Sequence, residues 1–300
     1  MLDLASRRLI AKGALASRLR LRHLRRVSRR IPVILAVGFV FGFTDLQAAD
    51  GPTTRSRSNA LPDLGGRVVV VAVEDDYPPF NYIVPATGKP GGWDYEAIRE
   101  LGRRLNFRPE FREIAWDSMI QCVVTGQFDM AANGITVTPE RARVVDYSSS
   151  YAQVRQRLLV RSGEHRFATL GEFAKTEGAR LGAQKGNTNY TKAEELVGRT
   201  RIVAYDDFGD LVQALINGDL DAVIIDDVGG QGYVGANAGR LRLLEGALAA
   251  QDLAMVFAQG STLRPAIDAA LAAMRADGAL ARLNRAWFSP SFHPDGSPKP

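Results

Sequence analysis

The sequence predicts an α/β protein built from two open-sheet lobes, and three observations carry that prediction. Residues 68–73 form a continuous valine-rich apolar run, the pattern of a strand covered on both faces in a parallel sheet. Strand-like and helix-like segments then alternate along the chain. Beyond residue 160 the alternation starts afresh, so two α/β units follow one another. Length agrees: 300 residues suggest about two domains, and an apolar content of 46% supplies a sizeable core, which excludes a disordered tail or a small disulfide scaffold.

Taken in order, residues 68–73 are the first strand, and residues 94–105 (DYEAIRELGRRL) place Ile98, Leu101 and Leu105 on one helical face. Residues 118–125 read as a second helix and residues 129–135 as a short strand. In the second unit, helices are expected over residues 170–175, 191–197 and 209–216, and strands over residues 180–183, 201–204 and 222–225. Residues 267–287 read as an amphipathic helical pair broken at Asp277-Gly278.

Charge is distributed unevenly. Residues 1–30 hold ten Arg and Lys against the single acid Asp3, whereas from residue 49 onward 28 basic residues face 31 acidic ones. The body is therefore mildly acidic, and the overall charge of +5 is no nucleic-acid footprint. The basic block precedes an uncharged run, residues 31–43 (IPVILAVGFVFGF), and small Ala48 and Ala49 follow. That is the layout of a secretory signal. As a helix the run rises about 20 Å, short of a hydrocarbon core about 30 Å thick. Residues 1–48 are thus expected to be a cleaved signal peptide, and residues 49–66, rich in Gly, Pro, Ser and Thr, a flexible leader. Cys122 stands alone and only three histidines are present, so neither an intrachain disulfide nor a Cys/His zinc site is expected, and no cofactor.

Seven segments carry a resemblance. They are VEDDYPPF (residues 73–80), GWD (92–94), WDSMIQCVVTGQFD (116–129), GITVTPERARVVDYSSSY (134–151), KGNTN (185–189), GDLDAVIIDD (218–227) and MRADGALARLNRAWF (274–288). In this order and at these distances the chain resembles the periplasmic solute-binding proteins of polar amino-acid ABC importers, over residues 67–288. The resemblance implies two lobes joined by a two-strand hinge, with the ligand cleft between them. Lobe 1 would comprise residues 67–156 plus 254–288, lobe 2 residues 157–253, and residues 289–300 a tail. The crossings are expected near residues 152–157 and 246–253.

A free amino acid needs both of its charges met by opposite ones once it leaves water, because burying an unpaired ion costs several kcal/mol. One arginine and one acid are the minimum. By the resemblance Arg141 clamps the carboxylate, which a planar guanidinium can grip with two parallel bonds; by itself it reads as a surface arginine like Arg143. Asp226, at a strand's carboxyl end, would hold the ammonium. Asp227 competes for that role, but strand alternation turns the two side chains to opposite faces. Thr136 would add a hydroxyl, Gly134 a close backbone approach, and Thr188 an anchor at a helix start that also suits an ordinary N-cap. Tyr77 and Trp116 match positions that line the ligand; Phe80 and Trp93 read as packing. Glu74 sits where binders of cationic amino acids carry an acid, or else is a solvated strand end.

These expectations describe a binding protein in the periplasm, monomeric, with a free amino acid as ligand and an ABC permease as partner. A basic or neutral polar amino acid suits a carboxylate beside aromatic faces. A cyclohexadienyl dehydratase uses the same fold, but there a glutamate acid follows the Asn-Thr-Asn counterpart. Here Tyr190 follows, whose ordinary pKa of about 10 suits that task poorly. No nucleophile elbow, P-loop or HExxH motif is present.

Overall fold

The computed structural model describes residues 60–289. The expected signal peptide, most of the leader and all but the first residue of the tail lie outside them. The chain opens with β1 (Arg67–Val73), the short strands β2 (Asp76–Tyr77), β3 (Asn81–Val84) and β4 (Lys89–Gly91), and α1 (Trp93–Leu105). Next come β5 (Phe107–Glu113), α2 (Trp116–Val124), β6 (Met130–Ala131), a 3-10 turn (Arg141–Arg143), β7 (Val145–Tyr147) and the long β8 (Ala152–Arg161). The second unit runs α3 (Leu170–Lys175), β9 (Leu181–Gln184), α4 (Thr188–Val197), β10 (Ile202–Tyr205), α5 (Phe208–Asn217), β11 (Ala222–Asp226), α6 (Asp227–Ala236), β12 (Leu241–Leu243) and β13 (Ala250–Leu253). The chain closes with β14 (Val256–Ala258), α7 (Leu263–Ala276) and α8 (Ala279–Trp287).

Two open sheets result. The first has the order β5-β1-β6-β14-β7, with β1 parallel to β5 and β6 and with β14 antiparallel to its neighbours. The second has the order β10-β9-β11-β8-β12, with β9, β10 and β11 parallel and β8 antiparallel to β11 and β12. Strand β8 belongs to both ends of the molecule. Its first half pairs antiparallel with β13, Ala152 opposite Leu253, and its second half enters the second sheet. The chain thus leaves the first lobe along β8 and returns along β13, a two-strand connection between the lobes.

Burial follows the sequence periodicity. Helix α1 turns Ile98, Leu101 and Leu105 fully inward, while Arg103 and Arg104 fill its last turn, where cations complement the helix dipole. Each such fully buried aliphatic side chain contributes about 1.5–3 kcal/mol. Trp93 is fully buried, donates its indole N–H to Asn284 Oδ1 at 2.7 Å and stacks on Tyr151, which ties α8 to the first lobe. The final helical pair breaks at Gly278, whose φ of 74° is left-handed.

Two local expectations need correction. The strand expected over residues 129–135 is reduced to Met130–Ala131, and beyond it Gly134 turns left-handed at φ 57°, out of an extended conformation. Strand β5 was not expected: its sequence FRPEFRE alternates apolar and charged residues around Pro109, which an edge strand paired only to β1 tolerates.

Candidate ligand-binding site

Strands β1, β6, β9 and β11 all end their parallel runs toward the gap between the sheets, where crevices form in open α/β folds. The residues that follow those ends converge there. Glu74 follows β1, Tyr77 lies in β2, Gly134 and Thr136 follow β6, Arg141 opens the 3-10 turn, and Trp116 opens α2. From the other lobe come Thr188, the first residue of α4, and Asp226, the last of β11. All eight line one narrow cavity, together with Asn133, Gln184, Asn187, Asn189 and Phe208.

The cavity carries one cation and one anion that are only partly satisfied. The Arg141 guanidinium lies over the Trp116 ring, 4.9 Å from its centroid. It donates to the Thr136 carbonyl at 3.1 Å and, across the gap, to the Gly186 carbonyl at 3.4 Å. Among the described residues it pairs with no carboxylate, and burial lowers its pKa. Asp226 is 3% exposed; its Oδ2 accepts from the Tyr77 hydroxyl at 2.9 Å, while its Oδ1 has no partner among the described residues. Burial pushes its pKa up to about 6, and Asp227 adds to the rise; the Tyr77 bond and the Arg141 charge oppose it. Asp227 points elsewhere, accepting the Arg155 backbone N–H at 3.1 Å.

Hydroxyls and amides complete the walls. Thr188 and Thr136 face each other across the gap with their hydroxyls 3.5 Å apart, and Gln156 donates to Thr188 Oγ1 at 3.4 Å. The N-cap of α4 is Asn187, whose side chain accepts the Tyr190 N–H at 2.9 Å, so the unpaired N–H groups of the helix start sit at the cavity wall. Tyr77 stacks between Phe80 and Phe208, with centroids 5.3 and 4.8 Å away. Gly134 lies under this stack: a Cβ there would come 3.0 Å from the Tyr77 ring. Glu74, 7% exposed, accepts N–H groups from Asn133 at 3.1 Å and from Gln184 at 2.9 Å. Its pKa is pushed up to about 7 by burial, against the bonds from Asn133, the Trp116 backbone and Gln184, while the nearby Asp76 adds to the rise.

Sequence reasoning did not name Asn133, Gln184, Asn187, Asn189 and Phe208 as site residues, although they also line the cavity, and it missed the cross-cleft role of the Tyr77 hydroxyl. Asn133 stands one residue before the glycine that was singled out, and Gln184 one before the KGNTN segment; adjacency was the only signal. No cluster of three or more metal-ligating side chains occurs among the described residues.

Two open sheets on a shared pair of connecting strands, with a charged cleft at the strand ends, define a two-lobed solute-binding protein. The model of bacterial extracellular solute-binding proteins, family 3, matches residues 69–290, and the chain belongs to that family. It is similar to the arginine-binding extracellular protein ArtP of Bacillus subtilis, 26% identical over 245 residues that cover 79% of this chain and 92% of the relative. It is equally similar to the L-cystine-binding protein TcyJ of Escherichia coli, 26% identical over 257 residues, 85% of this chain and 93% of the relative. Among solved structures, the arginine-, lysine-, histidine-binding protein ArtJ of Geobacillus stearothermophilus superposes with a TM-score of 0.67 at 28% identity, covering 73% of this chain and 94% of that one.

Proposed function

We propose that this protein binds a free L-amino acid, basic or neutral polar, in the periplasm and hands it to an ABC importer permease by closing its cleft, as a monomer. One observation supports this above the others. The cavity sets the cation Arg141, free of any carboxylate partner among the described residues, near Asp226, whose Oδ1 lacks one, and such a pair complements a zwitterion. The names of the relatives, binders of arginine and of cystine, fit the same reading. Lobe 1 is residues 67–156 plus 254–288 and lobe 2 residues 157–253; the basic and apolar N-terminal run of residues 1–48 serves as the export signal.

In this reading the ligand settles first on lobe 1, its carboxylate against Arg141, Thr136 and the Gly134 amide. Closure then brings Thr188 and Asp226 onto it. Contacts from both lobes give the ligand a higher affinity for the closed form, which is what allows it to drive closure. We propose no catalysis: the residue after Asn189 is Tyr190, and an elimination would need a proton donor that ionises far below a phenol. A thermal-shift screen of the twenty amino acids, with ornithine, citrulline, prephenate and arogenate, tests the assignment. A rise in melting temperature with one class of amino acid is the expected result. Turnover of prephenate or arogenate would replace binding by catalysis, and no shift with any amino acid would remove the assignment.

A further inference from the structure

We propose that Gln184 determines specificity from across the cleft: its amide, fixed as a donor, holds the Glu74 carboxylate as an anion at the closed site, which therefore takes amino acids whose side chains end in N–H groups. The inference deepens the amino-acid reading and rests on it. The orientation of Gln184 follows from its neighbours. Asn187 must present its oxygen to the Tyr190 backbone N–H, so its Nδ2 donates, and the acceptor is Gln184 Oε1 at 3.0 Å. Gln184 Nε2 then has two hydrogens, and both are placed: on the Asp206 carbonyl at 3.0 Å and on Glu74 Oε1 at 2.9 Å. Asn133 is locked in the same way from lobe 1. Its oxygen accepts the Glu74 backbone N–H at 3.1 Å, which leaves its Nδ2 to donate to Glu74 Oε2 at 3.1 Å.

Glu74 thus faces donors on both oxygens. Both amides turn N–H groups rather than oxygens toward Glu74, and these bonds favour its anion against the burial that raises its pKa. The carboxylate also accepts from the Trp116 backbone, which leaves a lone pair that a guanidinium, ammonium, ureido or amide N–H can reach. A ligand carboxylate would meet that anion in a desolvated site, and both Gln184 hydrogens are already spent on Glu74 and the Asp206 carbonyl. Four charged groups stand nearby, of which Asp76 adds to the rise in the Glu74 pKa. Asp76 accepts the Gly209 N–H at 2.7 Å, Asp206 pairs its side chain with Lys185 at 2.6 Å, Asp226 accepts from Tyr77, and Arg141 lies over Trp116.

Titration calorimetry on the full chain with L-arginine, its neutral isostere L-citrulline, and L-glutamate tests this. Wild type should bind arginine or citrulline at least about a hundredfold tighter than glutamate. Gln184→Glu sets a second carboxyl against Glu74, and two such groups cannot both ionise at contact. Compared with wild type at the same pH, since Glu74 itself sits at about 7, citrulline affinity should be at least about tenfold lower at pH 8 and within about threefold at pH 5.5, where a shared proton restores a donor across the cleft. Gln184→Leu, similar in size but without the donor, should lose affinity by the same factor relative to wild type at both pH values. If Gln184→Glu, relative to wild type, is as level with pH as Gln184→Leu, Gln184 only packs and the inference fails. A wild-type preference for glutamate would overturn it while leaving amino-acid binding intact; no binding of any of the twenty amino acids would overturn both.

Discussion

Replacing Asp226 with asparagine should move affinity and stability in opposite directions. The carboxylate is 3% exposed, bonded on one oxygen to the Tyr77 hydroxyl and unpartnered on the other. Asparagine keeps the shape and the acceptor for Tyr77 but turns an N–H2 toward the place where an ammonium would sit. Losing one member of a desolvated charge pair costs about 2–5 kcal/mol of binding, or roughly thirtyfold to several thousandfold in affinity. Without ligand the balance reverses. Holding the carboxyl at about 6 instead of its ordinary 3.8 costs, at 1.36 kcal/mol per pH unit, about 3 kcal/mol once it is ionised, and asparagine is spared that cost. The sign with pH follows. Because the folded pKa is raised, the folded protein holds an extra proton between about pH 4 and 6, so wild-type stability falls as pH rises through that window. The ligand-free variant should therefore melt several degrees above wild type at pH 7.5 and draw level with it near pH 4. Calorimetric titration with the best amino acid from the screen and ligand-free melting curves at the two pH values check both halves. Binding within threefold of wild type, or a lower ligand-free melting temperature at pH 7.5, would refute the reasoning.

Arg141→Ala should weaken amino-acid binding by about 2–5 kcal/mol in calorimetry and leave the ligand-free melting temperature nearly unchanged, since the guanidinium meets no carboxylate among the described residues and donates to two carbonyls at 3.1 and 3.4 Å. Tyr77→Phe keeps the stack on Phe80 and Phe208 but removes the donor to Asp226; affinity should fall by about 1.5–3 kcal/mol, measured by the same titration. Gly232→Val places a Cβ 2.3 Å from the Pro78 carbonyl oxygen, a contact between α6 and the turn after β2, so the variant should fold yet bind ligand at least about tenfold more weakly, as read by circular dichroism and titration.

What the sequence revealed and what it hid follow from how each feature is encoded. Strand β1 and helix α1 were legible because burial repeats with their own periods: a valine run covered on both faces, and Ile98, Leu101 and Leu105 on one side of a helix. Arg141 and Asp226 were legible because the chemistry of a zwitterion asks for their types and the surrounding motifs set their order. Asn133 and Gln184 were not, because what an amide does depends on the group it meets, and Glu74 lies 59 residues from Asn133 and 110 from Gln184. The short strands β2, β3 and β4 left no signal, since two to four residues are too few to show alternation.

The central claim is that an amino acid pulls two lobes together around Arg141 and Asp226. Small-angle X-ray scattering on the purified chain, with and without a saturating concentration of the amino acid that gives the largest thermal shift, measures that directly. The account predicts a smaller radius of gyration with ligand, and no such contraction in Arg141→Ala at the same concentration. A profile that is identical with and without ligand, under conditions where calorimetry shows the site filled, would contradict it.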